Sequence, residues 1–145
     1  MILWDTSGSE RYLSIAVAHY RNALGAMLVF DFTSRVSFTN LPYWINAIRE
    51  NAHPNCVIYL VGNKDEPSLE QHFRITDDEI YILVKEHDLI YSGRTSALLN
   101  KNVNECFEDL IKQTYADHSL ELNMQRDFAQ ILEETPRLNR NSVCC

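Results

Sequence analysis

The sequence predicts an α/β fold, a doubly wound parallel sheet, on two observations. Short apolar runs recur at 1–4, 26–30, 57–61 and, more weakly, 89–91. The stretches between the later runs carry apolar residues at helical spacing. Strands separated by helices of this length pair in parallel through right-handed crossovers. With 46% apolar residues among 145, the chain has the material for one ordinary core.

The run 1–4 reads as a strand stub that ends at Asp5. Over 37–50, Phe38, Leu41, Ile45 and Ile48 fall on one helical face, with Ser34 or Ser37 as the cap and Pro54 beyond the end. Thr76 followed by Glu79 predicts a capping box, opening a helix that buries Ile80, Leu83 and Val84. Residues 102–115 place Val103, Phe107, Leu110 and Ile111 on another apolar face. Beyond 115 the composition changes. Residues 119–134 hold Leu120, Met124, Phe128, Ile131 and Leu132 at helical spacing, Pro136 closes the pattern, and a polar stretch leads to two final cysteines. That segment reads as a docking helix or a disordered tether.

Charge and composition exclude several classes. A formal net charge of −7 argues against nonspecific nucleic-acid binding, which needs Lys and Arg against phosphates. No apolar run reaches the roughly 20 residues that span a bilayer, and no charged-apolar leader opens the chain. Cys56 and Cys106 sit alone in apolar patterns, so neither a disulfide framework nor a metal site is indicated, and reduced thiols are expected. The five histidines are scattered and read as surface or capping residues.

In open α/β sheets ligands bind beyond the carboxyl ends of the strands. Three polar segments fall there: Asp5-Thr6-Ser7-Gly8, Asn63-Lys64-Asp65-Glu66 and Arg94-Thr95-Ser96-Ala97-Leu98. Each would also serve as an ordinary turn. Their combination does not read as chance. Trp4-Asp5-Thr6-Ser7-Gly8-Ser9-Glu10-Arg11 resembles the W-D-T-A-G-Q-E-R segment of the Rab family of small GTPases. Gly62-Asn63-Lys64-Asp65-Glu66 resembles its G-N-K-x-D loop, and Arg94 to Leu98 its E-T-S-A-K loop. Tyr20-Arg21, Asp31 to Ser34, Phe38 and Trp44 strengthen the likeness. Cys144 and Cys145 resemble the doubly geranylgeranylated ending of that family, and two lipid chains give stable anchoring where one is marginal.

The resemblance implies a GTP-binding switch of vesicle-mediated transport, its GTPase domain covering 1–115 and its variable, prenylated tail covering 116–145. It implies a P-loop NTPase-like sheet that is incomplete here, because the first strands, P-loop and first helix have no counterpart in these residues. Asp5 would hold magnesium through a water, and the Gly8 amide would bond the third phosphate of GTP. Asn63, Lys64 and Glu66, with Ser96, Ala97 and Leu98, would hold the guanine of GTP or GDP. The catalytic glutamine's position carries Ser9, so no catalytic residue is assigned. Glu66 is one methylene longer than the family's aspartate, and Arg94 and Leu98 also depart. No G-x-x-x-x-G-K-[ST] occurs in the sequence. Defective nucleotide binding follows from those departures. The alternative is a pseudo-GTPase, a non-enzymatic lipid-anchored interaction module. Partners implied are membranes, Rab escort and GDI-type proteins, and effectors; the place implied is the cytoplasmic face of Golgi or endosomal membranes, and the cytosol. For the fold, the missing strand predicts a gap in mid-sheet, leaving either poor stability or residues 1–5 re-paired with 26–30.

Overall fold

The structure is a computed structural model that describes residues 2–66 and 75–134. A three-stranded parallel sheet runs in the order β1 (Gly25–Asp31), β2 (Val57–Asn63), β3 (Ile90–Arg94). β1 and β2 pair without interruption from Gly25 opposite Val57 to Asp31 opposite Asn63. β2 is buried almost end to end, as a central parallel strand with both faces covered should be.

The helices are α1 (Leu13–Tyr20), α2 (Arg35–Thr39), α3 (Leu41–Asn51), α4 (Asp77–His87) and α5 (Val103–Glu134). Alternation along the strands divides the apolar residues between two faces. Leu28, Phe30, Ile58 and Leu60 pack with Phe38, Leu41, Ile45, Ile48, Ile80 and Leu83, so α2, α3 and α4 cover one face. Val57 and Tyr59, joined by Met27, pack with Leu110 of α5 on the other. The chain divides into two units, residues 1–114 and 115–145. Of the second, only the continuation of α5 is described.

The expected first strand is not formed: residues 2–6 are neither helix nor strand, and they do not pair with β1. The Trp4 ring stacks on His19 at 4.5 Å, and Thr6 hydrogen-bonds the Tyr20 side chain. Side-chain contacts to α1 thus hold this short run instead of a ladder. Nor is there a gap in mid-sheet, because the three strands are contiguous. The sheet ends at β1, whose outer edge meets no strand among the described residues.

Other boundaries moved for local reasons. The single helix expected over 37–50 is two, because the Asn40 N–H closes α2 on the Val36 carbonyl (3.1 Å) and Pro42 enters at the start of α3. Ser34 is the cap of α2; the Ser37 hydroxyl instead accepts from the Asp31 N–H at 2.9 Å. The Thr76–Glu79 capping box is present on both sides, at 3.3 Å and 2.9 Å. β3 starts at Ile90 and runs on to Arg94 through a bulge: Tyr91 lies opposite Leu60, but Gly93 lies opposite Val61. The register thus skips Ser92, and Gly93 takes φ +110, which its lack of a Cβ permits. The helices expected at 102–115 and 119–134 are one helix, α5. Cys56 and Cys106 are buried free thiols, and burial raises Cys56 to about 11. His118 is buried, contrary to the surface role expected of it. It continues at four-residue steps the row Cys106, Leu110, Thr114 on α5, a placement its own polarity gave no hint of. His72, Cys144 and Cys145 lie outside the described residues.

Candidate functional site

Parallel strands run the same way, so the carboxyl ends of β1, β2 and β3 deliver the polar residues to one side of the sheet. An open cleft of ≈ 340 Å³ lies there, lined by Asn63, Lys64, Glu66, Ala97 and Leu98. Ser96, expected beside them, sits beneath, fully buried. Six of the eight expected ligand-binding residues therefore converge on one place.

Their hydrogen bonds fix two loops to each other. The Asn63 side-chain oxygen accepts from the Ala97 N–H at 3.1 Å and from the Thr95 hydroxyl at 3.3 Å. The Thr95 N–H donates to the Gly62 carbonyl at 2.7 Å, and the Asp65 N–H to the Thr95 carbonyl at 3.0 Å. Glu66 is only 6% exposed, a burial that a carboxylate tolerates only with partners. The Ser96 hydroxyl donates to it while accepting from the Leu99 N–H at 3.0 Å. A buried carboxylate at the wall of a cleft whose neighbours are Ala97, Leu98 and a lysine stem suits a flat base that presents N–H donors.

Lys64 adopts the left-handed region, φ 62, at the turn where the chain leaves β2. Its ammonium meets the Asp31 carboxylate at 2.7 Å. Burial works to raise that carboxyl, but Lys64 and the two bonds from Thr33 outweigh it and hold it below the ordinary range. This pair was legible in principle: Asp31 and Asn63 are register partners, so the residue after Asn63 must emerge beside Asp31.

Arg94, read from sequence only as a departure, forms a hub. Its guanidinium pairs with Asp65 at 3.3 Å and Asp77 at 2.6 Å and lies 4.4 Å above the Phe32 ring centroid. Lys101 takes the other Asp65 oxygen at 2.9 Å. Lys101, then Arg94, holds the Asp65 carboxyl below its ordinary value despite its burial. Asp65, Asp77, Arg94 and Lys101 were not singled out together, because only the fold brings them into contact.

Asp5 and Gly8 belong to a separate, exposed segment that α1 carries. Gly8 faces open space, with nothing within 4 Å of where a Cβ would stand. Ser9 opens the short helical turn Glu10–Tyr12, its carbonyl accepting from the Tyr12 N–H at 3.0 Å. Among the described residues no three His, Cys, Asp or Glu side chains come together as metal ligands. The residues around the cleft thus form one hydrogen-bonded unit with room for a flat ligand, whereas the Asp5–Gly8 segment offers one exposed carboxylate and one glycine amide.

A parallel sheet with polar loops at its carboxyl edge, one of them Asn-Lys-Asp-Glu closed over by Thr-Ser-Ala, defines an open α/β domain of the kind that binds ligands at that edge. The sequence model of the Ras family matches residues 1–116. The chain is 43% identical over 105 residues to Ras-related protein RABA6a of Arabidopsis thaliana, covering 72% of this chain and 44% of that protein. It is 39% identical over 113 residues to Ras-related protein YPTC6 of Chlamydomonas reinhardtii, 78% of this chain and 51% of that one. With Ras-related protein Rab-11C of Dictyostelium discoideum the identity is 38% over 112 residues, 77% and 49% of the two chains. The chain belongs to the Ras family of small GTPases, in its Rab group. It spans about half the length of the curated relatives it matches.

Proposed function

We propose that this chain serves as a Rab-type GTP-binding switch in vesicle-mediated transport, and that within these residues it performs the recognition of the guanine base. The observation that carries the reading is the cleft, where the Glu66 carboxylate is held by Ser96 at a wall shared with Asn63, Lys64, Ala97 and Leu98. Guanine presents two adjacent N–H donors, and a carboxylate accepts both. Lys64 and Leu98, which both line the cleft, would cover the base, and the Asn63 bonds to Thr95 and Ala97 tie the two loops together. When bound, magnesium neutralises phosphate charge; Asp5 is the residue that would hold it. Ser9 cannot reach as the family's glutamine would, so slow or absent hydrolysis is expected of this chain. With little built around Gly8, nucleotide affinity is expected to be weak.

The second reading, a pseudo-GTPase acting as a lipid-anchored interaction module, draws on Ser9 and the open surroundings of Gly8. In both, Cys144 and Cys145 would carry geranylgeranyl groups and place the protein on the cytoplasmic face of Golgi or endosomal membranes, with escort, GDI-type and effector proteins as partners.

Calorimetric titration of the 145-residue chain with GDP and with ADP tests the function. Magnesium-independent binding of GDP, at least tenfold preferred over ADP and abolished by Glu66→Ala, is the expected outcome. No GDP binding by a folded chain would leave the interaction-module reading standing in its place.

A further inference from the structure

The geometry points to Arg94 as the positioning residue of the cleft: from a bulged strand end it fixes the loop that carries Glu66, and thereby sets how selectively the site reads guanine. Its effect on selectivity rests on the base-recognition reading above; its hold on the loop does not.

The bulge supplies the first reason. In parallel pairing, residues in register share a face. Skipping Ser92 brings Arg94, instead of Gly93, opposite Gly62. Arg94 thereby joins the face of Leu60 and Gly62, where Phe32 and the start of α4 lie. One extra residue thus aims the side chain, a known use of bulges beside sites. The Asn102 side chain then holds the Arg94 carbonyl at 3.2 Å.

The second reason is what the guanidinium holds. One arm reaches Asp65, the residue before Glu66, and the other reaches Asp77 at the first turn of α4. The Asp65 side chain is 12% exposed and gripped from both sides, by Arg94 and Lys101, while its N–H bonds Thr95. Glu66 has one more rotatable bond than an aspartate, so its carboxylate is placed by the Ser96 hydrogen bond together with the backbone beneath it. Hydrogen bonds weaken steeply with misplacement, and two-point recognition is lost first. Lysine cannot substitute: it offers no planar fork for two carboxylates and no flat cation for the Phe32 ring.

The test compares wild type, Arg94→Ala, Arg94→Lys and Asp77→Asn in the full chain, by amide hydrogen exchange without nucleotide and by binding of GDP and IDP, whose base lacks the 2-amino group. In Arg94→Ala, exchange at Lys64, Asp65, Glu66, Ala97 and Leu99 should rise at least tenfold while Met27 to Phe30 of β1 stays unchanged, and the preference for GDP over IDP should fall toward unity. Arg94→Lys should fail to restore either, and Asp77→Asn should show the same pattern at reduced size. If Arg94→Ala does not fold, the other two variants carry the decision. Unaltered loop exchange, or a uniform rise through β1 and the loops together, would overturn the assignment. A wild-type chain that binds neither nucleotide would refute the base reading and Arg94's part in selectivity, while the exchange data still decide its hold on the loop.

Discussion

Single residues here do measurable work through their charges. Arg35, then the Thr76 backbone and hydroxyl, holds the Glu79 carboxyl down to about 2 from an ordinary 4.5. A carboxyl depressed in the folded state adds stability that is fully present above its unfolded value and lost as pH falls through the folded one. The first turn of α4 should therefore fray as pH drops from about 4.5 toward 2, followed by circular dichroism and by carboxyl shifts in NMR. Glu79→Gln should flatten that dependence. This capping box was legible in the sequence because both partners lie within one turn. The Arg94 contacts were not, since Asp65, Asp77 and Arg94 meet only after β2, α4 and β3 have docked.

At the level of elements, what decides is the fit between a strand and what crosses it. A Cβ on Gly62 would stand 2.3 Å from a ring atom of Phe32 and 2.8 Å from one of Phe30. Both rings are closed into the core and cannot swing aside. Gly62→Ala should destabilise the chain by about 1–3 kcal/mol, read from urea unfolding, and loosen the Asn63 loop directly after it. The glycine so often read as a loop residue is here a packing residue. The strands at 26–30 and 57–61 were readable because their apolar residues are continuous, while β3 was underestimated. Ser92, Gly93 and Arg94 look like a turn, and only pairing with β2 makes them strand.

Across the whole molecule, the weak place is the outer side of β1. Val29 is 54% exposed on the sheet face that Leu110 of α5 covers further along, and Ile2, Leu3 and Trp4 add exposed apolar surface. Among the described residues no strand meets the outer edge of β1, and such an edge with an apolar face invites pairing with another chain. Val29→Lys should change the unfolding free energy by no more than about 0.5 kcal/mol and reduce concentration-dependent association in sedimentation velocity. The sequence led to an expected gap inside the sheet or a re-paired run 1–5, and the structure has neither: the three strands are contiguous and residues 2–6 form no strand. Lastly, every side chain lining the cleft comes from residues 63–98, while Asp5 and Gly8 lie in the exposed segment whose Trp4 stacks on His19 of α1. On the proposed function, the choice of base and the hold on magnesium and phosphate would thus be written on separate stretches of chain. A substitution in one stretch would then leave the other in place, so a change at Asp5 or Gly8 would spare the geometry of the cleft.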